Sequence, residues 1–309
     1  MDESLTLRLE SEMENGITIN TPTTIASKVA DYAALTKMKL SFLVVFSAAM
    51  AFIMGSAGDV NWSKFLLLIA GGFLVTGAAN AFNQVIEKDL DKLMDRTRMR
   101  PLADGRMGVS EALIVSSLLA VCGLAILFTF MNTASGILGL IAIISYTIIY
   151  TPLKRITPFA VFVGAFPGAI PPLLGWVAAT NSFSTEAWVL FSIQFIWQFP
   201  HFWAIAWVLD DDYKKAGFEL LPSKGGRDKS SAFQAFIYAF SLIPVGIIPY
   251  FFELSGVVSM VVLVLAGIYF TILAWNLYKS CSMEAARKLM FGSFIYLPVV
   301  QIIMVLDKI

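Results

Sequence analysis

Runs of apolar residues long enough to cross a bilayer constrain this chain more than any other feature. A hydrocarbon core of about 30 Å needs roughly 20 apolar residues per helix. About nine such segments can be marked on this scale, near 39–58, 65–86, 108–131, 134–151, 157–179, 186–209, 232–252, 256–277 and 289–306. Inside lipid every backbone N–H and C=O must find a partner within the protein, so long runs without alternation are read as helices. A membrane barrel would instead use strands of about ten residues with alternating polarity. The expected fold is an all-α integral membrane protein, a bundle of about nine transmembrane helices. The composition agrees, because 58% of the 309 residues are hydrophobic and only 14% are charged, against about 25% charged in soluble domains.

The formal net charge is zero, but the cations are not spread evenly over the loops. With the N-terminus in the cytoplasm, Arg8, Lys28, Lys37 and Lys39 fall on that side, as do Lys88, Lys92, Arg96, Arg98, Arg100 and Arg106 after the second segment. So do Lys154 and Arg155, then Lys214, Lys215, Lys224, Arg227 and Lys229, then Lys279, Arg287 and Lys288. Only Lys64 and Lys308 remain on the other side, so the positive-inside rule gives a cytoplasmic N-terminus and an odd number of spans. The first residues are polar and acid-containing, without the apolar core of a signal peptide or the acid-poor, Arg-rich character of a transit peptide. We therefore expect a polar cytoplasmic tail at 1–30, a single transmembrane domain over 31–309, and a bacterial cell inner membrane as its location. Cys122 and Cys281 show neither disulfide nor metal-ligand spacing.

Directly behind the second segment lies Asn83 to Pro101, NQVIEKDLDKLMDRTRMRP. Residues four apart share a helix face, so Asn83, Glu87, Asp91 and Asp95 are expected to form a polar stripe, which lipid would reject and a cavity would accept. One or two carboxylates plus phosphate oxygens suit magnesium. Arg96, Arg98 and Arg100 follow, and guanidinium groups pair with phosphate at two points. Together these suggest chemistry on a diphosphate at the membrane surface. The competing reading is a solvated charged loop that only anchors topology. Lys37, Lys154 and Arg155 face the same compartment.

Asp210, Asp211 and Asp212 end the sixth segment, where the negative end of the helix dipole disfavours carboxylates. Asp212 with Tyr213, Lys214 and Lys215 could supply a metal ligand and phosphate donors. His201, the only histidine, sits among Trp197, Phe199, Phe202, Trp203 and Trp207, either as hydrogen-bonded structure or against a large aromatic ligand. With 25 Phe and 7 Trp, the interior can wall an apolar tunnel, and aromatic faces stabilise cations. Gly71, Gly72, Gly77, Ala78 and Ala79, with Gly164, Gly168 and Gly175, mark close helix packing. Pro167, Pro171 and Pro172 predict a broken fifth helix lining a cavity.

These motifs resemble the UbiA superfamily of intramembrane prenyltransferases, in particular its heme-farnesylating branch, from about Tyr32 to the end of the chain. The superfamily pattern NxxxDxxxD is matched by Asn83, Glu87 and Asp91, with Glu in place of the first Asp. The heme branch is matched by Asp89, Asp91, Met94, Arg96 and Thr97, and by the PHF and WAIA residues around His201. Further matches are Leu35 to Lys37, Tyr150, Thr151, Lys154 and Arg155, the GAFPGAIPPLLGW stretch, and Asp212, Tyr213, Ala216, Gly217, Leu221 and Pro222. The second DxxxD of the wider superfamily is absent, since Lys214 and Ala216 stand four beyond Asp210 and Asp212.

The resemblance implies transfer of the farnesyl group of farnesyl diphosphate to a vinyl group of heme B, with water adding, for use in terminal oxidases. It implies Mg2+ on Asn83, Glu87, Asp91 and Asp212, all counted as catalytic. Lys37, Arg96, Arg100, Lys154, Arg155, Tyr213 and Lys214 would serve the diphosphate, and His201, Trp203 and Tyr150 the heme or prenyl group. A downstream heme-modifying enzyme is an implied partner alongside the bilayer, and nucleic acid is not. A sister enzyme acting on a quinone precursor or other aromatic acceptor is the nearest rival. A lipid-diphosphate transporter is disfavoured because nearly every charge falls at a helix end, whereas transporters keep ionisable groups near the midplane.

Overall fold

The computed structural model describes residues 25–309. Arg8 and most of the expected N-terminal tail lie outside the described residues. Helix α1, Ile25–Leu35, begins inside the stretch read as tail. It is tied down by Lys28 to Glu111 at 3.0 Å and by Asp31 to Arg106 at 3.1 Å. Nine membrane-length helices follow among the described residues: α2 Met38–Gly55, α3 Trp62–Ile86, α4 Val109–Met131, α5 Thr133–Leu153, α6 Ala160–Thr180, α7 Thr185–Lys215, α8 Lys229–Phe251, α9 Val257–Ser280 and α10 Met283–Leu306. None of the described residues forms a strand beyond one isolated bridge, Ser255 to Lys308.

Sequential helices pack as neighbours, α6 returns to pack on α2, and α10 packs on α7 and α2. Apolar side chains such as Leu113, Leu118, Val121, Phe130, Leu265 and Ile272 are exposed on the outside of the bundle, as a lipid-facing surface requires. The longest helix, α7, runs 31 residues, more than a bilayer needs. Its last turns therefore carry Asp210 to Lys215 out to the end of the bundle where α3 and α5 also finish.

Helix α6 is continuous, contrary to the break expected from its three prolines. Pro172 cannot donate to the carbonyl of Gly168, and Gln194 of α7 donates its side-chain amide to that oxygen at 2.7 Å instead. A neighbouring helix has thus satisfied the freed carbonyl, which is how membrane helices tolerate proline. A small cavity of about 20 Å³ nevertheless lies beside Pro172, walled by α2, α7 and α10.

Small residues let the helices approach. A Cβ on Gly175 would sit 2.8 Å from the carbonyl carbon of Ala48 in α2, a clash with backbone that no rotamer change relieves. Gly175→Ala should therefore destabilise the bundle by about 1–3 kcal/mol. The check is a lowered unfolding temperature of the purified variant in detergent, with Gly72→Ala, where the nearest atom would be 3.5 Å away, as the tolerated control.

Candidate active site

Helix α3 stops at Ile86, Glu87 leaves the helical conformation at φ −93° and ψ 6°, and a single turn follows over Lys88–Asp91. Asn83, Glu87 and Asp91 stay on the inner side and are 1%, 4% and 1% exposed. Asp95 does not join them, contrary to the four-residue stripe expected. The chain turns after Asp91, and Asp95 is exposed and paired with Lys215 at 2.5 Å.

Each buried carboxylate meets a cation from a different part of the chain. Lys154, just past the end of α5, pairs with Glu87, which the longer Glu side chain reaches. Nη1 of Arg100 donates to both oxygens of Asp91 at 2.8 and 2.7 Å. Lys37, held at φ 48° between α1 and α2, donates to Asn83 Oδ1 at 3.1 Å. The Asn83 amide donates in turn to Thr151 Oγ1 at 3.1 Å, and the Thr97 hydroxyl donates to the Asp91 carbonyl at 2.9 Å. Eight side chains from four segments, two of them threonines, thus converge at one end of the bundle.

Three cations stand here against two carboxylates, in surroundings largely withdrawn from water. Burial pushes the Lys37 ammonium down to about 7, with Arg100 and Lys154 adding to the shift. Burial, chiefly, also lowers Lys154 and raises Asp91. Crowded cations whose charge is poorly solvated are suited to a multiply charged anion.

Aromatic rings wall the cluster. The Lys154 ammonium lies 5.2 Å from the centre of the Tyr150 ring and 5.1 Å from that of Phe218. Tyr146 and Tyr150 pack at 5.3 Å within a π-helical stretch, Ser145–Tyr150, the kind of bulge that re-aims side chains at functional sites. Arg96 is exposed, with its guanidinium 5.8 Å from the centre of the Tyr213 ring.

Of the candidate phosphate ligands, Lys37, Arg100 and Lys154 lie in the cluster and Arg96 and Tyr213 at its edge. Arg155 is exposed and Lys214 pairs with Asp210 at 2.7 Å, so neither joins. Asp212 stands apart from the other carboxylates: Oδ1 accepts the Asp95 amide at 2.7 Å and Oδ2 the Arg96 amide at 3.2 Å. Tyr146 and Phe218 were not singled out from sequence. Tyr146 is four residues before Tyr150 and so on its face, a usable signal, whereas nothing local marks Phe218.

His201 is buried in α7, eleven residues before Asp212 and so about 16 Å deeper at the helical rise. Its Nδ1 is 2.6 Å from Ser293 Oγ of α10, and its ring stacks on Trp197 at 4.4 Å. The buried Trp203 indole N–H has no acceptor among the described residues and lies among Phe199 and Tyr238.

A helical membrane bundle with a buried cluster of carboxylates and cations at one end, above an aromatic interior, has the form of an intramembrane enzyme acting on amphiphilic anions. The chain belongs to the UbiA prenyltransferase family, whose model matches residues 44–297. It is 50% identical to a protoheme IX farnesyltransferase of Cytophaga hutchinsonii, over 92% of this chain and 100% of the relative. It is 48% identical to one of Christiangramia forsetii, over 92% and 95%. A solved structure of digeranylgeranylglyceryl phosphate synthase superposes with a TM-score of 0.75 at 20% identity, covering 91% of this chain and 98% of that one. A UbiA homologue from Archaeoglobus fulgidus, bound to GPP and Mg2+, superposes at 0.67 and 13% identity, covering 89% and 99%. Members of this fold have thus been solved with a divalent metal and a prenyl diphosphate. The oxygen donors of Asn83, Glu87 and Asp91 suit the same hard cation.

Proposed function

We propose that this protein transfers the farnesyl group of farnesyl diphosphate to a vinyl group of heme B, giving heme O and diphosphate. What carries this reading is the cluster of buried Asn83, Glu87, Asp91 and Lys154 with half-buried Lys37 and Arg100 at the end of an aromatic-walled bundle, in a chain half identical to protoheme IX farnesyltransferases. Asn83, Glu87 and Asp91 would hold Mg2+, which when bound would neutralise charge on the diphosphate oxygens.

The chain's own side chains do the rest. Arg100, Lys154 and Lys37 take up the negative charge that grows on the diphosphate as its bond to the farnesyl C1 breaks, with Arg96 and Tyr213 at the entrance. The Tyr146 and Tyr150 rings face the allylic cation, and the apolar bundle keeps bulk water from trapping it. The terminal vinyl carbon of heme B bonds to C1. Water then adds to the other vinyl carbon and loses a proton, leaving the hydroxyethylfarnesyl side chain. His201 and Trp203 lie deeper on α7 and wall the heme or prenyl group. The product passes to a downstream heme-modifying enzyme in the same membrane.

The distribution of lysine and arginine supports placing the cluster on the cytoplasmic side of a bacterial inner membrane. The reading is tested with an acceptor panel. Heme B should be farnesylated and hydroxybenzoate or a naphthoquinone precursor should not, while preference for a quinone-type acceptor would move the chain to a sister activity. Arg98 is exposed and lies outside the cluster, so Arg98→Ala should keep activity within about threefold, as an exposed charge contributes little. A loss as deep as that of a buried cluster residue would place Arg98 in the site.

A further inference from the structure

Among the residues expected to hold the metal, Asp212 is the one whose carboxylate is bonded to backbone amides and not to the cations of the cluster. It sits at the end of α7, and its carboxylate spans two successive backbone amides of the segment that follows α3: Asp95 N–H to Oδ1 at 2.7 Å and Arg96 N–H to Oδ2 at 3.2 Å. Lys215, one turn on, bridges Asp95 at 2.5 Å and Asp212 at 3.4 Å. Both oxygens are thereby directed at the 95–96 backbone, whereas those of Asp91 meet a cation of the cluster. The position four beyond Asp212 is Ala216, and the position four beyond Asp210 is Lys214, which neutralises Asp210. The α7 end therefore offers no second carboxylate free to share a cation with Asp212. Its contacts go to the segment carrying Arg96 and Arg100, and Arg100 in turn fixes Asp91.

We infer that Asp212 is a positioning residue, a clamp from α7 that holds the Asp95–Arg96 backbone so that Arg96 and Arg100 are presented to the diphosphate, and that it is not a metal ligand. Carboxylate-to-amide hydrogen bonds are charge-assisted and among the stronger ones. The clamp crosses between segments more than a hundred residues apart in sequence, so it ties the end of α7 to the segment that follows α3. The inference rests on the proposed reading for what the clamp serves, but its existence is tested without farnesyl transfer.

Three readouts on full-length protein in detergent test it. Hydrogen exchange over residues 92–100 should quicken at least about tenfold in Asp212→Ala, the loss of roughly 1.4 kcal/mol of protection that one hydrogen bond represents. Binding of Mn2+ in the presence of inorganic diphosphate, followed by electron paramagnetic resonance, should stay within about threefold of wild type in Asp212→Asn yet be lost in Asp91→Asn. In turnover, Asp212→Asn should raise KM for farnesyl diphosphate about tenfold with kcat little changed. Unchanged exchange would overturn the clamp, and loss of Mn2+ as complete as in Asp91→Asn would make Asp212 a ligand. A wild-type protein that exchanges and binds Mn2+ as stated but makes no farnesylated heme would overturn the proposed function and leave the clamp standing.

Discussion

Asp91→Asn is expected to lower kcat by at least about 100-fold, the scale on which removal of a preorganised charge at a reacting centre is felt. Asp91 is 1% exposed and accepts two hydrogen bonds from Arg100, so its charge is held in place before any substrate arrives. The asparagine is nearly isosteric but carries no charge, and it can neither balance Arg100 nor bind a hard cation strongly. Insertion should be unaffected, because the apolar segments direct it. The check is a single symmetric peak on size exclusion together with the collapse in turnover. Glu87→Gln should behave alike, leaving Lys154 without its partner. Full activity in both variants would remove the metal assignment.

Arg100→Ala should be as severe, lowering kcat/KM by about 100-fold or more. Two losses combine in it. The diphosphate loses its bidentate donor, and Asp91 is left buried and unpaired, a change that costs about 3–5 kcal/mol when nothing replaces the partner. Arg100→Lys separates them: an ammonium restores the charge but not the fork, so part of the stability should return while KM stays raised. If Arg100→Lys were fully active, geometry at this position would not matter and point charge alone would suffice.

The bundle was legible because hydrophobicity is a local property. A run such as 65–86 is apolar wherever the rest of the chain goes, and all nine expected spans are helices in the structure. The carboxylate positions were legible for a similar reason, since four-residue spacing fixes a shared face for Asn83 and Glu87. It failed at Asp95, where the break at Glu87 and the turn after Asp91 end the helical register. The partners were beyond reach, because nothing local says that Lys37 meets Asn83, 46 residues away, or that Asp212 meets the amides of Asp95 and Arg96. The prolines of α6 misled in the same way, their repair lying in Gln194 of another helix. Cation position along the chain indicated which end of the bundle would be charged, but not that Arg100 turns inward while Arg98 stays outside.

The most direct test of the central claim is to incubate the purified protein with heme B, farnesyl diphosphate and Mg2+ and to follow the products by mass spectrometry. The account predicts a metal-dependent product with the mass of heme B plus farnesyl plus hydroxyl, release of diphosphate, and neither in Asp91→Asn. Farnesyl diphosphate left intact with every acceptor offered, or joined only to a quinone precursor, would contradict it.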